Sequence, residues 1–141
     1  MSPRAIVPFL ALVLGSATLM LNAQKVKKTN LVPTAANSGQ QMYNEYCAVC
    51  HGTDGKGKGP AAGALKAMPT DLTTLAIHNG GKFPDNKVYG AIHGDAETPA
   101  HGSKDMPVWG AVFQEMSHGN TAEVQLRISN LTHYISELQA K

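Results

Sequence analysis

Cysteine is scarce in this chain. Only two occur among 141 residues, at positions 47 and 50. With both thiols in one short motif, neither is left for a structural disulfide. No second pair exists to complete a four-ligand zinc site. Strand patterning is also poor, so the βαβ context of a thioredoxin-like redox pair is missing. The formal net charge is only +2, which excludes the strongly basic footprint of a nucleic-acid binder. No repeat with a period of roughly 20–50 residues appears. The longest uncharged apolar run, Ala5–Leu21, has 17 residues. As a helix it reaches ~25 Å, short of a ~30 Å hydrocarbon core.

What is present is concentrated in five residues, Cys47-Ala48-Val49-Cys50-His51. This is the spacing at which haem is covalently attached. On a helix, positions i, i+3 and i+4 share one face. Two thiols and an imidazole so arranged reach two vinyl groups along one porphyrin edge and the iron from the same side. A second fragment, Met106-Pro107-Val108-Trp109-Gly110, offers a thioether 55 residues after His51. His51 and Met106 together supply the two axial ligands of a low-spin haem iron. Met68 is also followed by proline, and His93 and His101 are the other possible distal ligands. Met42 and Met116 fall on apolar faces and read as core. Trp109 is expected against the haem edge, its N–H directed to a propionate or a backbone carbonyl.

The N-terminus has a short basic start, Met1–Arg4, before the apolar run. Residues 1–23 read as a secretory signal peptide, with a retained N-terminal anchor as the alternative. Residues 24–37, polar and containing Lys25, Lys27, Lys28 and Pro33, read as a flexible linker. Residues 38–141 make the single domain. There Ser38 and Gln41 form a capping-box pattern for a helix that Gly52 ends. Gly52–Gly59 is a glycine-rich loop without the Lys-Ser/Thr ending of a phosphate loop. Short helices are expected over Ala61–Ala67, Leu72–His78, Asp85–His93 and Pro107–Met116, with Gly94–Asp105 as a polar loop. Asn120 and Glu123 start a last helix with the stripe Val124, Ile128, Leu131, Ile135, Leu138. A domain this small buries a limited share of its surface. The haem-free chain is therefore expected to be largely unfolded.

On these residues the chain resembles the class I, mono-haem c-type cytochromes, from about Ser38 to Gln139. Gly39-x-x-x-Tyr43-x-x-x-Cys47-x-x-Cys50-His51-Gly52 is similar to their first helix and attachment site. Met106-Pro107-x-Trp109-Gly110 is similar to their distal-ligand loop, and Leu131-x-x-Tyr134 to their last helix. The resemblance implies an all-α cytochrome c fold of about four to five short helices around one covalently attached haem c with its iron. It implies that the Pro60 carbonyl accepts the Nδ1 proton of His51, and that Tyr134 crosses close to Gly39 and Tyr43. The cofactor-binding set is then Cys47, Cys50, His51, Pro60, Met106 and Trp109, with His51 and Met106 on the metal.

The function so implied is one-electron carriage in an extracytoplasmic chain, by a periplasmic electron-transfer protein rather than an enzyme. Its partners would be redox proteins such as respiratory or dehydrogenase complexes, not nucleic acid. Membrane contact would follow only from a retained N-terminal segment. Two alternatives stand beside this: the cytochrome subunit of a membrane-anchored oxidoreductase, and an open-site haem peroxidase or ligand sensor in which His101 is recruited.

Overall fold

A computed structural model describes residues 31–95 and 106–140. The segment 1–30, the stretch 96–105 with His101, and Lys141 lie outside the described residues. Among the described residues there are five helices: α1 (39–51), α2 (Leu75–His78), α3 (Asp85–His93), α4 (Trp109–Met116) and α5 (Thr121–Glu137). Among the described residues there is no strand, and no helix is long and apolar enough to cross a membrane. The architecture is the all-α cytochrome c fold expected above.

α1 starts where Ser38 Oγ accepts the Gln41 amide at 3.2 Å. The capping box is only half made, because the Ser38 amide donates to the Ala35 carbonyl instead. The helix is not uniformly α. Tyr43–Cys47 forms a π turn, with the Ala48 amide bonded to the Tyr43 carbonyl. Such wide turns inside α-helices occur often at functional sites. Here it leads directly into Cys47, so the thiol stands at a junction between two helical geometries. Gly52, at φ 78°, takes a backbone conformation costly to other residues and turns the chain out of the helix.

The glycine-rich loop then folds back under the helix end. A helix leaves its last four carbonyls without internal partners. Here those of Ala48, Val49, Cys50 and His51 accept from the amides of Gly52, Ala61, Gly59 and Gly57, at 2.8–2.9 Å. The loop therefore completes the end of α1. The helix expected over Ala61–Ala67 shrinks to one 3₁₀ turn, Ala62–Ala64. Only Ala62 is buried there, which gives a longer helix no face to pack.

Asp71 begins the next element. Its carboxylate accepts from the Thr73 amide (2.9 Å) and hydroxyl (2.6 Å), capping a 3₁₀ turn, Leu72–Thr74, that runs into α2. α3 has the expected bounds. α4 begins at Trp109, because Val108 is extended. α5 begins after Asn120, whose side chain accepts the Glu123 amide at 3.2 Å, and buries Val124, Ile128, Leu131 and Ile135.

α1 and α5 cross at Gly39. A Cβ there would land on the Asn130 carbonyl and within 2.9 Å of the Tyr134 Cβ. The rings of Tyr43 and Tyr134 lie 5.3 Å apart, as the resemblance implied. Met42, Tyr43, Phe113, Ile128 and Leu131 are wholly buried around this crossing, and α3 and α4 pack on α5.

The described part of the lead-in, 31–37, corrects the expectation of a flexible linker. Thr34 is buried, and its carbonyl accepts from Arg127 at 3.0 Å. The Ala36 carbonyl accepts from Asn130 at 3.0 Å, and that of Val32 from the Tyr46 hydroxyl at 2.6 Å. These donors come from the buried sides of α1 and α5, which a polar linker composition does not reveal.

Candidate haem site

A cavity of about 280 Å³ lies where α1 ends. It is lined by Cys47, Cys50 and His51 from α1, by Leu65, Met68 and Thr70, by Met106, Pro107 and Trp109, and by Leu31 from the lead-in. Five of the six expected cofactor-binding residues thus border one space. The lining is mostly apolar, with Glu45 and Thr70 among the few polar contributors.

His51 Nδ1 lies 3.2 Å from the Thr70 carbonyl oxygen. A carbonyl only accepts, so Nδ1 carries the proton in this contact. The lone pair is then assigned to Nε2, the form that binds a metal. The resemblance gave the acceptor role to Pro60. Pro60 is instead exposed and absent from the cavity lining, and Thr70 holds the ring. The loop amides of Gly57, Gly59 and Ala61 are bonded to the carbonyls at the end of α1. The chain returns behind the imidazole only at Pro69–Thr70.

Burial, then the neighbouring Cys50, pushes the Cys47 thiol up to about 12. Reactive redox dithiols have lowered values. Cys47 lacks that signature.

Trp109 is buried and stacks on Tyr46, with ring centroids 5.4 Å apart. Phe113 closes behind both, at 5.8 Å from Trp109 and 6.0 Å from Tyr46. A Cβ on Gly110 would strike the His93 carbonyl, so the start of α4 sits directly on the end of α3. This contact fixes the chain that carries Met106, which is half-buried. Met42 and Met116 belong to the core, as expected. Met68 lines the cavity but is 65% exposed. His93 is exposed, 2.7 Å from the Asp95 carboxylate and stacked on Tyr89, and does not line the cavity.

Sequence reasoning missed Thr70, Tyr46 as more than a core ring, and Leu31. Pro69 before Thr70 was a usable signal, because its fixed φ and the Asp71 cap mark a sharply positioned carbonyl between them.

These residues fit a haem: a largely apolar space lined by two thiols, an imidazole hydrogen-bonded through Nδ1, a thioether and a buried indole. A family model described as "Cytochrome C oxidase, cbb3-type, subunit III" matches residues 34–122. No curated protein matches the chain, and no solved structure does. The matched range spans well over half of the chain and includes both Cys47–His51 and Met106. The chain belongs to this family of c-type cytochromes, which carry covalently bound haem c and work by haem-based electron transfer.

Proposed function

We propose that the protein is an extracytoplasmic one-electron carrier whose single haem c is ligated by His51 and Met106. The observation that carries this reading is the gathering of Cys47, Cys50, His51, Met106 and Trp109 around one cavity. When bound, the haem supplies reversible Fe(III)/Fe(II) chemistry. The chain's residues do the rest. Thr70 holds the Nδ1 proton and so orients His51. Cys47 and Cys50 fix the ring covalently. Trp109, Tyr46 and Phe113 keep water from one side.

The choice of Met106 over Met68 has a geometric basis. Thr70 stands behind the imidazole, on the Nδ1 side, and Met68 is only two residues upstream on that same segment. Met106 comes from a separate stretch that leads into α4. Ligation on both faces leaves no open site, which favours a carrier over a peroxidase or gas sensor. A sulfur ligand also favours the ferrous state and raises the potential.

The family description favours a second setting for the same chemistry: a cytochrome subunit of a membrane oxidase rather than a free periplasmic carrier. Redox partners, respiratory or dehydrogenase complexes, are expected in either case. The mature N-terminus, read by mass spectrometry, separates the two. A chain starting near residue 24 indicates a free carrier, and one retaining Ala5–Leu21 an anchored subunit.

Optical spectra test the ligation. The oxidised protein should show the weak far-red charge-transfer band of sulfur-ligated ferric haem. The reduced form should not change on adding carbon monoxide. A missing band together with a carbon monoxide complex would replace this reading with the open-site one.

A further inference from the structure

The chain just before α1 is fastened more heavily than a connector requires. Arg127, 5% exposed, donates to the Thr34 carbonyl at 3.0 Å and is placed 3.4 Å from the Thr34 hydroxyl. That hydroxyl lies 3.0 Å from the Tyr46 hydroxyl, which donates to the Val32 carbonyl at 2.6 Å. The guanidinium is neutralised by Glu123 at 2.7 and 3.1 Å and lies over the Phe113 ring at 5.9 Å. Burying a guanidinium is unfavourable unless its charge and donors are met. Here Nε and one terminal nitrogen are met by Glu123, and the other terminal nitrogen holds the Thr34 segment.

The held segment leads to Leu31, whose side chain borders the haem cavity. Its anchor, Tyr46, stacks on Trp109 at that cavity. Leu31 and Arg127 both lie outside the range that the family model matches, 34–122. Resting on the haem reading above, we propose that residues 31–34 form a strap that keeps water from one edge of the haem, with Arg127 as the positioning residue that holds it. Excluding water disfavours the more highly charged ferric state, so the strap raises the reduction potential.

The test uses the full chain, loaded with haem in a host competent for cytochrome maturation. Midpoint potentials are measured for wild type, Leu31→Ser, Arg127→Gln and the control Leu126→Ser. Leu126 is exposed and next to Arg127 but does not line the cavity. Leu31→Ser and Arg127→Gln should lower the potential while keeping the covalent haem, and Leu126→Ser should leave it unchanged. Hydrogen exchange of the 31–37 amides should accelerate in Arg127→Gln and not in Leu126→Ser. If Arg127→Gln does not fold, Leu31→Ser decides alone. Haem-loaded Leu31→Ser with the wild-type potential would overturn the strap but leave the carrier reading intact. Equal losses in Leu31→Ser and Leu126→Ser would do the same. A wild-type chain that takes up no covalent haem would instead remove the carrier reading, and the strap with it.

Discussion

At the crossing of α1 and α5, Gly39 lies under the Asn130 carbonyl, Tyr43 meets Tyr134, and the Tyr43 hydroxyl donates to the Gly52 carbonyl at 2.8 Å. Burial then pushes the Tyr43 hydroxyl's pKa well above its ordinary value. At the end of the same helix, Cys47, Cys50 and His51 face an apolar space, with Val49 and Met68 exposed beside it. The first region is satisfied by protein alone. The second has a mostly apolar surface lining an open cavity. One helix thus serves a self-sufficient interface at its start and a ligand-dependent one at its end, with the π turn Tyr43–Cys47 between them.

The strongest way to break this contrast is to withhold the haem. Replacing both Cys47 and Cys50 by serine should abolish covalent attachment. Without the ring, the cavity wall loses its apolar partner, and a domain this small has little core in reserve. Far-ultraviolet circular dichroism should then show most of the helical signal gone. A haem-free chain that keeps the helical signal and a cooperative thermal transition would mean that the α1–α5 crossing suffices by itself.

The next largest effect is expected at the crossing. Gly39→Val forces a side chain into the Asn130 carbonyl and the Tyr134 Cβ. Overpacking of a tight core contact costs about 3 kcal/mol. The haem-loaded variant should melt well below wild type, yet its folded form should keep the wild-type spectrum. Changed ligand bands in the folded variant would show that the two regions are coupled.

Met106→Ala probes the other end. The covalent haem and the helical content should persist, the far-red band should vanish, the potential should fall, and the reduced form should bind carbon monoxide. Met68→Ala should change none of these. If the two variants exchange behaviours, the sulfur on the Thr70 segment is the ligand and the assignment of faces to the ring is reversed.

How far these regions were legible in the sequence follows from the range of the contacts involved. The α5 stripe is a local pattern and was readable. Asp85–His93 was readable because Val88, Tyr89 and Ile92 share one side. The Gly39–Tyr134 approach came only from resemblance, because nothing local pairs residues so far apart in the chain. The π turn was invisible: no composition distinguishes Tyr43–Cys47 from an α-helical turn. The Thr70 carbonyl beside His51 Nδ1 was not legible because it lies nineteen residues further along the chain. The ordered lead-in was missed for a similar reason. Its partners, Arg127 and Asn130, are more than ninety residues away.

Asp71 sits on the seam between the two regions. It follows Thr70, which holds His51, and precedes Leu72, whose amide donates to Gly55 and whose carbonyl accepts from Gln139 after α5. The Thr73 hydroxyl holds the Asp71 carboxyl below its ordinary value; burial opposes it, and the Thr73 amide adds a smaller lowering effect. A carboxyl with a lowered folded-state value stabilises the fold above its unfolded value of roughly 3.9. That contribution is lost as the pH falls through the lower, folded value. Asp71→Asn keeps an oxygen for the cap but removes the charge. Melting temperatures of haem-loaded wild type and variant should therefore differ most above about pH 5 and converge as the pH drops below roughly 3.9. The gap should be small, because Asp71 is partly exposed and solvent screens its charge. A gap that stays constant across this range would mean that the Thr73 contacts act through shape alone, and that the seam is held by the Leu72 hydrogen bonds to Gly55 and Gln139 instead.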